Sequence, residues 1–130
     1  MTLTLYAATA AVFLILDAIM LSLVMKPLFT RHIGPLLAEP IRIAPAALFY
    51  LAYVAGLVYL VSLPALKTGS PVVLPALIIG LMAYGTYEFT SWAVMKDWHW
   101  SMVATDVTWG GFLTAFSAWA GVAITRAIHG

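Results

Sequence analysis

Three carboxylates stand where lipid is expected. Asp17, Glu88 and Asp106 each interrupt a run of residues otherwise apolar enough to cross a membrane. On insertion scales an acid at that depth costs roughly 2.5–3.5 kcal/mol, so it must face protein or water and is a candidate functional group. Such a group can bind a proton or a ligand, act catalytically on a lipid or another amphiphile, or join helices through hydrogen bonds. The last use returns only about 0.6 kcal/mol per polar contact, a weak reason to bury three acids.

Depth relates the three. Asp17 lies nine residues before Lys26 and Glu88 eight before Lys96, so at about 1.5 Å per residue both sit roughly 12–13 Å from one membrane face. Asp106 lies a few residues into the next span from that same face. Three acids on three helices therefore occupy one half of the bilayer. No Lys or Arg stands at matching depth unless Lys96 snorkels inward, and a clustered set without a cation is expected to share protons.

Helical spacing names their neighbours. Tyr84, Gly85, Ser91 and Trp92 share the Glu88 face, and Met102, Val103, Trp109 and Gly110 share the Asp106 face. Asp17 is surrounded by Phe13, Leu14, Met20 and Leu21, and must find polar partners across the bundle. The expected lining of a proton- or ligand-binding site is thus Tyr84, Tyr87, Tyr53, Thr105 and Trp109 around Asp17, Glu88 and Asp106. No catalytic residue is singled out and no cofactor is implied. A metal is not expected: His32, His99 and His129 lie in loops or the tail, and neither Glu-x-x-His nor His-x-x-x-His occurs. Phosphate loops, dinucleotide fingerprints and nucleophile elbows are absent too.

The elements that must position these groups are membrane spans. Hydrophobic residues make up 64% of the 130-residue chain and charged residues 8%, a balance that no soluble core can hide. Four apolar stretches, about 3–25, 46–66, 72–95 and 103–125, each approach the roughly 20 residues that cross hydrocarbon. The expectation is an all-α, integral-membrane four-helix bundle forming a single domain over 1–130. The first stretch lacks a basic leader and reads as a retained span. There is no cysteine, hence no disulfide or thiolate chemistry. A net charge of +1 without a basic stripe speaks against nucleic acid.

The connection from Lys26 to Ala44 contains Pro27, Gly34-Pro35 and Pro40, which are expected to exclude a long helix. Its clumped apolar residues (Leu28, Phe29, Ile33, Leu36, Leu37) with Arg31, His32 and Arg42 suit either a segment in the headgroup layer or a loop with buried anchors. K-T-G-S-P reads as a tight turn and K-D-W-H-W-S as an aromatic one, with Trp92, Trp98 and Trp100 forming an interfacial belt. Lys26, Arg31, Arg42 and Lys96 against Lys67 and Arg126 favour the first group's side as cytoplasmic, with both termini outside. On the fourth span Gly110, Thr114, Ser117 and Gly121 form a stripe of small residues, for close packing within the bundle or for a homodimer seam.

Tyr84, Thr86-Tyr87, an acid at Glu88, Thr90, Lys96 with Trp98, Asp106 and Trp109-Gly110 make a specific combination. With Asp17, K-P-L-F-T-R-H-I-G-P-L-L, Phe49-Tyr50, Tyr53 and Gly56-Leu57-Val58-Tyr59, it resembles the domain of unknown function 2177 family of bacterial membrane proteins over nearly the whole chain. Glu88 stands where the family carries the shorter Asp, and Ser91 where it carries Asn. The resemblance implies a four-span protein of the bacterial inner membrane and brings no established activity. Relatives look to be encoded near fatty-acyl-modifying enzymes, which implies a link to lipids. The functional expectation is a small multi-pass protein that binds a partner protein or amphiphilic ligand at the acids, with membrane lipid around it. A proton-coupled carrier and a lipid- or fatty-acyl-modifying enzyme, or its accessory subunit, are the alternatives.

Overall fold

The computed structural model describes residues 1–36 and 43–129, and within them every regular element is helical. Four helices are long and apolar enough to span a membrane: α1 (Thr2–Leu36), α2 (Ala44–Thr68), α3 (Val73–Val94) and α4 (Trp100–His129). The fold is the expected all-α bundle. Leu37, Pro40 and Arg42 of the first connection lie outside the described residues.

Pro27, expected to keep a long helix out of the first connection, does not. α1 runs through Pro27 and α2 through Pro64, and in each case a π-helical stretch comes immediately before, at Leu21–Met25 and Val58–Ser62. Proline offers no N–H and its ring crowds the carbonyl four residues back. Ahead of each proline the turn widens and the pairing register shifts: the amides of Lys26 and Leu63 donate five residues back, to Leu21 and Val58. Each proline then falls in the first turn of a renewed α-helix, where a missing amide proton is tolerated. With 35 residues, α1 is about 52 Å long, well over the roughly 30 Å of hydrocarbon. Its end beyond Lys26 therefore stands clear of the hydrocarbon as a rigid extension rather than a loop.

α2 closes at Gly69, whose φ of 73° is a left-handed conformation suited to glycine. Arg126 on α4 donates to the Ala65 carbonyl at 3.2 Å, placing a cation at that helix end. α3 ends where Met95 turns extended, and α4 begins at Trp100, three residues ahead of expectation.

α4 is the centre of the bundle. More than half of its most apolar window is buried, against less than a third in the other helices, and α3 and α1 pack along it. Its small residues permit this. A Cβ on Gly80 of α3 would come within 2.5 Å of the Gly110 carbonyl oxygen and 2.9 Å of Gly111 Cα, so backbone meets backbone. The Tyr84 ring lies over Gly110, and Thr9 of α1 lies on Gly121. Thr114 and Ser117 are fully buried between these contacts. The stripe is covered by the chain's own α1 and α3. Thr4 near the start of α1 bonds His129 near the end of α4 at 3.0 Å, so these two ends share one side, as four spans require.

Candidate functional site: buried carboxyls of α1, α3 and α4

Glu88 is fully buried on α3. The turn between α3 and α4 folds the Trp98 indole back beneath the helix end, and its Nε1 donates to Glu88 Oε1 at 3.0 Å. Phe29 at 5.3 Å and Tyr87 at 5.9 Å, each edge to face, hold that ring in place. Ile33, Met102 and Val103 complete an apolar cap around it. Trp98 is thus buried. Of the expected tryptophan belt, only Trp92 and Trp100 are exposed, because the Trp98 N–H has a carboxyl to satisfy.

The Asp106 carboxyl, itself buried, lies within hydrogen-bonding reach of Glu88. Two ionised carboxylates are acceptors only. Unless one of them carries a proton, Glu88 Oε2 has no partner within the protein. Asp17 on α1 is buried as well, and Trp109 Nε1 of α4 donates to its Oδ1 at 3.2 Å. This is the polar help across the bundle that its own helix face lacks. The Tyr50 phenol lies beside it, while Oδ2 has no partner. Asp17 and Asp106 lie near each other, with Tyr50 and Tyr84 close to both. Among the described residues no Lys or Arg stands beside any of the three carboxyls.

The expected lining divides. Tyr53 shares a 2.9 Å hydrogen bond with Thr114 and meets Tyr84 edge to face at 6.4 Å. The Tyr84 hydroxyl is buried without a partner. Tyr87 is mostly exposed and touches the site through Trp98. Thr105 faces outward into a shallow, open groove of about 590 Å³ with Met20, Thr108, Trp109 and Phe112. Tyr50, Trp98 and Thr114 are functional candidates that sequence reasoning missed. Tyr50 had a usable signal, since it stands three residues before Tyr53 on the same helix face. Trp98 had none beyond its indole N–H, because a turn's direction is not written in local periodicity.

Above Trp98, toward the membrane face, the His32 and His99 rings stack at 4.2 Å with 8° between planes. Ser101 joins them: its amide donates to His99 Nδ1 at 3.1 Å, and its hydroxyl lies 2.7 Å from that nitrogen and 3.5 Å from His32 Nε2. Desolvation, then the charges of His99 and Arg31, hold the His32 imidazolium below its ordinary range. Among the described residues no three His, Asp or Glu side chains converge to hold a metal ion.

Neither a curated protein nor a solved structure matches this chain. A family model described as a predicted membrane protein, domain of unknown function 2177, matches residues 2–123. That span takes in α1, α2, α3 and α4 as far as Ala123, including Asp106, Trp109 and Gly121. The chain belongs to the domain of unknown function 2177 family of membrane proteins.

Proposed function

We propose that this is a single-domain, multi-pass protein of a bacterial inner membrane that binds and releases a proton at the Glu88–Asp106 pair. The observation that carries this reading is Glu88 itself. It is fully buried, with one oxygen held by Trp98, the other unpartnered, a second carboxyl in reach and no cation beside it. Like charges in such contact cannot both persist, so the pair keeps a proton between them. A proton is also a ligand that needs no cavity. The two best-formed grooves are shallow and open, and no carboxyl lines either. Proton binding fits a proton-coupled carrier better than a ligand receptor.

Infrared spectroscopy of the protein in lipid nanodiscs tests this directly. At neutral pH the wild type is expected to give a protonated-carboxyl band that shifts in heavy water and disappears in Glu88→Gln. Absence of that band in the wild type would overturn the reading.

A second reading rests on Trp109. One part of its ring lines the outward groove while its N–H holds Asp17. An amphiphile lying along that groove would touch the acids through this residue. Brominated lipid that quenches Trp109 fluorescence more strongly than it quenches Trp119 supports this reading, and equal quenching counts against it.

A further inference from the structure

The polar interior does not stop at the carboxyls. Asp106, Gly110, Thr114, Ser117, Gly121 and Thr125 recur at spacings of four, four, three, four and four, so they share one face of α4, and all are buried. From Asp106 to Thr125 is 19 residues, or about 28 Å of helix, close to the roughly 30 Å thickness of the hydrocarbon. This buried face therefore reaches from the acids, in the Lys96-side half of the bilayer, to the opposite side, where Arg126 caps α2.

Each other helix contributes hydroxyls to the interior. α3 supplies Tyr84 over Gly110, α2 supplies Tyr53 against Thr114 and, nine residues on, Ser62, and α1 supplies Thr9 against Gly121. Some are satisfied: Tyr53 and Thr114 bond each other, and Thr125 donates back to the Gly121 carbonyl at 2.8 Å. Others are not. Thr9 Oγ1, Ser62 Oγ and Ser117 Oγ belong to fully buried residues and have no partner among the described residues, and neither does the Tyr84 hydroxyl.

A hydroxyl in that position is costly, and Ala or Val would pack the same space at no polar penalty. A Ser or Thr in a membrane helix can relieve the cost by bonding the carbonyl four residues back, as Thr125 does. Thr9, Ser62 and Ser117 leave that bond unmade, so their donor and acceptor sites stay available to another partner. Water is the occupant whose chemistry fits, since it needs two to four polar partners and both donates and accepts.

Resting on the proton-binding reading above, we infer that this interior is a transbilayer proton path, running from Glu88 and Asp106 by way of Tyr84, the Tyr53–Thr114 pair, Ser117 and the Thr9 hydroxyl at Gly121 to Thr125. A proton leaves hydronium at the Lys96 side, passing the His32–His99–Ser101 group, and forms an O–H bond on the Glu88 carboxylate. It moves to Asp106 as the Glu88 O–H breaks. Hydroxyls and water between Tyr84 and Thr125 then each accept one proton and donate another, because a hydroxyl carries a donor and acceptors on one rotating atom. The last releases a proton to water on the Lys67 side. One positive charge crosses per proton and nothing is oxidised or reduced, so steady flux needs a compensating ion. The apolar cap of Phe29, Ile33, Trp98 and Met102 lies across the Lys96-side entrance, consistent with slow, gated flux rather than an open pore.

The test uses the full chain in vesicles of phosphatidylethanolamine and phosphatidylglycerol holding a pH-sensitive dye. A potassium gradient with valinomycin supplies the driving potential and the counter-ion. Wild type is expected to carry protons faster than empty vesicles, and Glu88→Gln to fall to the empty-vesicle rate. Ser117→Val, which blocks mid-path far from any carboxyl, should fall likewise, while the lipid-facing Phe116→Leu at the same depth stays at the wild-type rate. Should Ser117→Val not fold by circular dichroism and gel filtration, Ser62→Ala takes its place. Wild-type flux no faster than empty vesicles, with the protonated-carboxyl band intact, overturns the path and leaves the proton-binding pair standing. Loss of the band itself overturns the pair. Flux undiminished in folded Ser117→Val and Ser62→Ala overturns this route.

Discussion

Trp98 Nε1 donates to Glu88 Oε1 at 3.0 Å across the turn between α3 and α4, tying the aromatic turn to the one fully buried acid. The bond gives the turn a reason to fold inward, and it gives the acid its one fixed neutral donor. Replacing Trp98 with Phe keeps most of the apolar cap and removes only the N–H. The expected loss is about 1–3 kcal/mol, the cost of leaving a buried acceptor unsatisfied. Unfolding of the two proteins in mixed micelles measures it. A Trp98→Phe change that costs nothing in a Glu88→Met background, which has no carboxyl or amide oxygen to accept the N–H, would confirm that the loss belongs to this pair.

Glu88 and Asp106 are expected to behave as one unit. Each amide variant, Glu88→Gln or Asp106→Asn, removes the need for a shared proton while keeping a hydrogen-bonding group. The double variant should therefore change proton uptake and stability by much less than the sum of the singles. Simple additivity would separate the two residues into independent anchors.

Gly121 is a packing contact inside the chain. Because Thr9 lies against it, Gly121→Ile should destabilise the fold itself by roughly 1–3 kcal/mol or more, the usual range for overpacking. Partial rescue by Thr9→Ala, read from thermal unfolding in detergent, would place the clash at that contact. A variant with normal stability and altered crosslinking between copies would instead make the face an interface.

Orientation is open to a labelling experiment. Lys26, Arg31 and Lys96 are grouped at one side of the bundle and Lys67 and Arg126 at the other, which favours the first side as cytoplasmic. A cysteine introduced at the exposed Thr68 should react with a membrane-impermeant maleimide in intact cells. Reaction only after permeabilisation would invert the topology.

His32 supplies a pH signature outside the hydrocarbon. Its imidazole is held below the ordinary 6.5 by desolvation in the stack and then by His99 and Arg31, so the folded protein favours the neutral ring. The stack's stabilisation is therefore complete above about 6.5 and is lost as pH falls through the lower folded value. Histidine titration by NMR should find His32 below 6.5 in the wild type and nearer to it in His99→Gln. An unchanged value would remove His99 as a cause.

Four spans and three buried acids were legible in the sequence because hydropathy and length depend only on composition along a line. The depth of Asp17 and Glu88 followed from counting residues to Lys26 and Lys96 at a constant rise. Gly110 and Gly121 stood out by spacing, though spacing could not say whether a neighbouring helix or a second chain would cover them. Pro27 was misleading. Proline's local rule breaks a regular α-helix, and only the π-helical stretches at Leu21–Met25 and Val58–Ser62 let the helices continue. Tertiary structure alone decided that Trp109 reaches Asp17, that Trp98 reaches Glu88 and that His32 stacks on His99. Those contacts join residues 92, 10 and 67 positions apart. Helical periodicity reports which side of its own helix a residue occupies. Which other helix meets that side is set by how the four cylinders pack, and here the small residues of α4 draw α1 and α3 onto one polar face.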